Sequence, residues 1–193
     1  MPNKEKHNAI IASALALFSK YGFHNTTIAQ IAKNIGISAG SIYSYFPSKN
    51  SLAKAAITFV TRILAKQLRV INEKEASSQE KITLFVQSYL TFVSKHPEMI
   101  EYFFKVYLTN KEIFSEEGKS GFELAQDFIN EVEKLIDDGV KSGEFRAGNF
   151  YIAFSSIVGI LGAITFLSGE KVLDKNLDIY TQDLSNSICR ALS

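Results

Sequence analysis

Apolar residues recur three and four positions apart along most of the chain, and no stretch of useful length alternates with a period of two. That pattern predicts a helical protein. The first helix is expected over about 6–21, with Ile11, Leu15 and Phe18 on one face and Gly22 closing it. Thr27-Ile28-Ala29-Gln30 has the spacing of a capping box, in which the threonine oxygen and the glutamine side chain each satisfy an orphan backbone N–H. A second helix should therefore run over about 28–35 and stop at Gly36. Ser38 caps a third over about 39–46, and Pro47-Ser48 breaks it and caps a fourth that ends near residue 71. The polar tract Asn72–Gln79 reads as a linker. Beyond it the periodicity predicts helices at about 79–95, 97–109, 117–142, 148–168 and 174–192. With only three prolines, at positions 2, 47 and 97, little interrupts these runs. The expected architecture is all-α: a three-helix helix-turn-helix domain over 4–64, with the motif at about 27–46, and a larger helical domain over 73–193.

Charge divides the chain at the same place. Residues 1–72 hold nine basic side chains and one acid, Glu5, a balance of +8, whereas residues 73–193 hold twelve basic and nineteen acidic ones, a balance of −7. A basic front on an acidic body is the footprint of a polyanion binder with a second function behind it. A solvated basic surface without a partner is the plainer alternative.

The segment TIAQIAKNIGISAGSIYSYFPSK, Thr27–Lys49, adds chemistry to that charge. Ala32 is small enough for two helices to approach closely, Gly36 can take the positive φ of a tight turn, and Ile37 and Ile42 fill the space between them. With Ile42 and Phe46 turned inward, Ser41, Tyr43, Ser44 and Tyr45 fall on the flanks and outer side of the third helix, where hydroxyls suit phosphates and base edges. Ala39 and Gly40 keep its N-terminus slim enough for a major groove. Lys49 stands in the first turn of the next helix, beside N–H groups that attract a phosphate. Tyr43 packing against the first helix is the competing reading.

Phe18-Ser19-Lys20-Tyr21-Gly22-Phe23, Thr26-Thr27-Ile28, Ile31-Ala32, Gly36 to Phe46 and Ser48-Lys49 together resemble the N-terminal signature of the TetR family, over about residues 6–60. The resemblance implies a ligand-responsive repressor that binds a palindromic double-stranded DNA operator as a homodimer, with third helices in successive major grooves. It puts Thr27, Gln30, Ser38, Ala39, Gly40, Ser41, Tyr43, Ser44, Tyr45 and Lys49 at or near the DNA. Two departures stand out: Ala39 replaces a lysine common after the third-helix cap, and Ser51 stands where a carboxylate is frequent. An architectural or adaptor protein without an inducer is the alternative function.

Aromatic residues crowd the second domain. Most are expected in its core, and Phe85, Tyr89, Tyr102, Phe103, Tyr107 and Phe128 are candidates to line a cavity for an apolar or aromatic effector. Residues 147–169 carry no charge and are long enough to span a membrane. Their serines, the glycine turns at both ends and the absence of a basic cluster or Trp at the flanks favour instead a helix buried on both sides, between the domain core and a dimer mate. Ser155, Gly159, Gly162, Leu184 and Ile188 are the expected dimer interface, in a four-helix bundle of the kind the resemblance implies. His7, His24 and His96 are scattered, and neither a phosphate loop nor a nucleophile elbow occurs, so no enzyme, metal or cofactor is expected. The lone Cys189 and the charged N-terminus, without a signal-peptide core, fit a cytoplasmic protein.

Overall fold

The computed structural model describes residues 4–114, 121–174 and 176–193. It is all-α, with no strand among the described residues. The α-helices among the described residues are α1 (Lys4–Tyr21), α2 (Ile28–Asn34), α3 (Ala39–Tyr43), α4 (Lys49–Asn72), α5 (Ser78–Lys95), α6 (Pro97–Tyr102), α7 (Lys111–Phe114), α8 (Gln126–Lys141), α9 (Phe150–Gly169) and α10 (Thr181–Leu192). The helix expected over 117–142 begins in residues outside the described ones. Its described part is a 3-10 turn at Gly121–Ala125 followed by α8.

Two compact units emerge, and they do not follow a simple front-and-back division. One comprises residues 1–61 and 98–125, the other 62–97 and 126–193. In the first unit α1 to α3 and the start of α4 close over Ile10, Leu15, Phe18, Ile31, Ile42 and Leu52, all fully buried. Gly22, at φ +80°, ends α1, and Thr26 ties the following loop back by donating its hydroxyl to the carbonyls of Gly22 and Leu17. Residues 98–125, expected with the second domain, belong here because of Tyr102. Its ring stacks on Phe18 at 5.8 Å and its hydroxyl donates to the Ala53 carbonyl at 2.9 Å, so the ring is fully enclosed. The helix expected over 97–109 changes hydrogen-bond pattern after Tyr102 and continues as a π-helical turn, Phe103–Tyr107. There Phe103 stacks on Tyr107 at 4.9 Å, and Tyr107 lies so near Gly121 that a Cβ on that residue would fall 2.6 Å from the ring.

The second unit packs α5 against α8, α9 and α10 around Ile82, Phe85, Leu90, Val132, Leu135 and Ile188. Within it the polar tract 72–79 is a tight turn and not an interdomain linker. Ser77 and Glu80 form a reciprocal capping box at the start of α5, and Glu144 accepts the N–H groups of Ser78 and Gln79. These bonds hold both carboxylates below their ordinary range. On the other side of the turn Asn72 is buried, donates to the backbone and side chain of Glu131, and has its own carbonyl capped by Lys81. Glu131 also takes the Arg69 guanidinium at 2.6 Å. Asn72, Ser77, Ser78 and Gln79 are thus held in local bonds, while Glu73, Lys74 and Glu75 stay exposed.

Candidate nucleic-acid interface

The helix-turn-helix builds as its spacing dictates. Thr27 and Gln30 make the full capping box: the Thr27 N–H donates to Gln30 Oε1 at 2.7 Å and the Gln30 N–H to Thr27 Oγ1 at 3.2 Å. Gly36 sits at φ +68°, and the chain reverses with the Ile37 N–H on the Ala32 carbonyl. Ser38 Oγ then receives the Ser41 N–H at 3.2 Å to start α3. The helix ends at Tyr43, earlier than expected, because the residue before Pro47 is pushed out of helical geometry and the N–H groups of Tyr45 and Phe46 both turn onto the Ile42 carbonyl.

Beneath this scaffold Ile42 and Phe46 are buried, as their phase requires. Above it Thr27, Gln30, Ser38, Gly40, Tyr43 and Ser44 are exposed, with Tyr43 half accessible at 52%, and Ala39, Ser41 and Tyr45 are partly so. The structure therefore leaves Tyr43 outward and not packed away. The small Ala39 and Gly40 leave the start of α3 without bulk. Ser51 does the work of the missing carboxylate: Ser48 and Ser51 exchange backbone N–H for hydroxyl bonds at 3.0 Å each, a reciprocal cap on α4.

Lys49 takes a different role from the one its position suggests. Its ammonium donates to the carbonyls of Phe23 and Thr26, both at 3.0 Å, and lies 4.2 Å from the Phe23 ring centroid. Partial burial lowers its pKa. It braces the α1–α2 loop against the first turn of α4 through the carbonyls of Phe23 and Thr26. Lys49→Met is accordingly expected to lower stability by about 1–2 kcal/mol, the scale of hydrogen bonds to a charged group. In a DNA titration the same variant should leave the salt slope within about half a unit of the unaltered value, because loss of a phosphate contact flattens it by about one.

Sequence reasoning missed Lys6. Its Nζ lies 6.0 Å from the centroid of the Tyr45 ring, and His7 rests 4.9 Å from Phe46, so the start of α1 adds a cation beside α3. Helical periodicity assigns faces within one helix and carries no signal for that juxtaposition.

The candidate effector residues separate. Phe85, Tyr89 and Phe128 form one buried cluster in the second unit, with ring centroids 6.4 and 6.0 Å from Phe85, and Tyr89 shares a 2.8 Å bond with Thr165. Burial pushes the Tyr89 hydroxyl pKa up to about 12. Tyr102, Phe103 and Tyr107 lie in the first unit. Tyr102 is fully buried there, while Phe103 and Tyr107 are partly exposed. Of the expected dimer residues, Ser155 and Gly159 are exposed and Gly162 and Leu184 partly so, whereas Ile188 is fully enclosed by its own unit and closed to a partner. Helix α9 buries only one face, through Ile157, Leu161, Ile164 and Thr165. Its other face, expected against a dimer mate, carries Ile152 and Phe166, exposed at 67% and 57%. By length and composition alone α9 could cross a membrane, with only 22% of its most apolar window buried.

A basic helix-turn-helix with a slim, hydroxyl-bearing recognition helix, joined to a larger helical body, defines a DNA-binding regulator. Residues 10–56 match the family model described as bacterial regulatory proteins, tetR family. The chain is similar to the nucleoid occlusion factor SlmA of Haemophilus ducreyi, with 23% identity over 86% of this chain and 79% of that protein. Its fold is that of the fatty acid degradation regulator FadR from Bacillus halodurans, with a TM-score of 0.81, 16% identity and coverage of 98% and 97% of the two chains. The transcriptional regulator FadR from Bacillus subtilis in complex with stearoyl-CoA shares the fold at a TM-score of 0.73 and 17% identity, over 96% and 99%. Residues 10–56 thus carry the features of the tetR-family regulatory domain, and the described chain shares the fold of these regulators.

Proposed function

We propose that the protein is a ligand-responsive repressor that binds a palindromic operator as a homodimer. The exposed surface of α3 carries the reading: Tyr43, Ser44 and Gly40 face outward from a rigid capped helix, in a segment whose only acid is Glu5. Hydroxyls of this kind position the protein on phosphates, and the helix start reaches base edges. Lys6 and Lys33 add charge to the same unit, while Ala39 leaves part of the groove contact to shape and not to a long side chain.

The dimer rests on the uncovered stripe of α9. Ile152, Ser155, Gly159, Ala163 and Phe166 are exposed at helical spacing, an apolar ridge with a small-residue centre that allows a second helix to approach closely. A soluble dimer covers this ridge without the basic cluster or Trp that would flank a membrane span, which fits a protein acting on DNA in the cytoplasm. The effector is an apolar molecule held by the second unit, a reading supported by the stearoyl-CoA complex of the Bacillus subtilis regulator that shares this fold.

Selection from random duplex DNA tests the operator. The expected product is an inverted repeat whose half-sites lie about one helical turn apart, about 10 base pairs. Enrichment of direct repeats, or of no sequence, overturns the reading in favour of an architectural DNA binder.

A further inference from the structure

One concavity of the second unit is not lined by Phe85, Tyr89 or Phe128. It is a groove of about 840 Å³ between the C-terminal half of α4 and α5, within the size of small-molecule sites, about 300–1,000 Å³. Ile71 and Phe92 are buried at its base, Ile63 and Leu84 form half-buried walls, and Val70 leaves 53% of its surface open at one end. The Ser88 hydroxyl donates to Gln67 Oε1 at 3.1 Å and fixes the two helices in register midway along it. The charged lining is of one sign: Lys66 and Lys95 are exposed beside it, and no Asp or Glu borders it. Lys66 comes from the basic stretch of α4, with Arg62 and Arg69 near it in sequence, and Lys95 from the end of α5.

We propose that this groove is the effector site and that it takes a single-chain anionic amphiphile, an unbranched apolar tail ending in a carboxylate or phosphate. The apolar base removes the tail from water, which favours binding in proportion to the area covered. The two ammonium groups select the sign of the head and reject a cation. Neither lysine has an ion pair among the described residues to compete with a ligand. Phe85, Tyr89 and Phe128 are themselves buried, packed ring against ring. The groove also lies along α4, a continuous helix whose first turn is braced by Lys49 to the helix-turn-helix. Only the regulatory consequence of occupancy rests on the repressor reading; binding does not.

The test is calorimetry of the full chain, without DNA, using dodecanoate, dodecyl phosphate and dodecylamine. Dodecanoate and dodecyl phosphate are expected to bind once per chain. Whichever of the two binds more tightly identifies the head group, and dodecylamine should bind at least tenfold more weakly than either. Charge reversal by Lys66→Glu with Lys95→Glu should weaken the anions at least tenfold and bring dodecylamine level with them. Thr91→Trp, on the half-buried wall, fills the groove without adding charge and should abolish binding of all three at an unchanged melting temperature. Absence of binding, equal affinity for dodecylamine, or indifference to Thr91→Trp overturns the proposal. A chain that binds these anions yet fails the operator selection would sink the repressor reading and leave the site standing.

Discussion

Gly159→Leu is expected to convert the protein from dimer to monomer in sedimentation equilibrium while leaving its melting temperature unchanged or raised. Nothing lies within 4 Å of a Cβ built at Gly159, so the leucine meets open space within the chain. Helix propensity favours it by about 0.8–1 kcal/mol over glycine. The same side chain would stand at the centre of the exposed ridge running from Ile152 to Phe166, where a second copy of α9 must come close. Because a dimer engages both operator halves at once, its loss should weaken operator binding by roughly a hundredfold or more. A Gly159→Leu chain that stays dimeric would move the interface off α9 and reopen the question of what covers that ridge.

The second large effect is expected at Tyr102. Deleting a fully buried aromatic ring costs about 3–5 kcal/mol, a large share of a typical stability of about 5–15 kcal/mol. Tyr102→Ala should therefore unfold the first unit at moderate urea and abolish DNA binding, although the residue is far in sequence from the helix-turn-helix. Tyr102→Phe keeps the stack on Phe18 and loses only the bond to the Ala53 carbonyl, about 1 kcal/mol. A urea titration in which Tyr102→Ala costs no more than Tyr102→Phe would show that residues 98–125 do not support the DNA-binding unit.

Tyr102 also marks the limit of what the chain reveals before folding. Local chemistry was readable: the Thr27/Gln30 box, the Gly36 turn, the inward Ile42 and the outward Tyr43 all follow from short-range spacing and appear as expected. Long-range placement was not. Nothing in the pattern around Tyr102 says that its ring closes on Phe18, eighty-four positions earlier, because helical phase assigns a face and not a partner. Ile188 failed in the same way, since one apolar face looks alike whether it meets the chain's own core or a second copy. The brace made by Lys49 was not readable, because sequence shows a charge near a helix start but not the carbonyls of Phe23 and Thr26 beside it. The groove between α4 and α5 was invisible for a further reason: a cavity is where side chains are missing, and aromatic content pointed to the cores they fill.

The most direct test of the account is the salt dependence of binding to duplex DNA. A plot of log affinity against log salt has a slope of about −0.9 for each phosphate neutralised. A homodimer placing the basic first units on DNA predicts a slope steeper than about −4, with random duplex bound more weakly than the selected operator yet still salt-sensitive. A flat plot, or no binding at low salt, would contradict the claim that residues 1–61 form a DNA-binding surface.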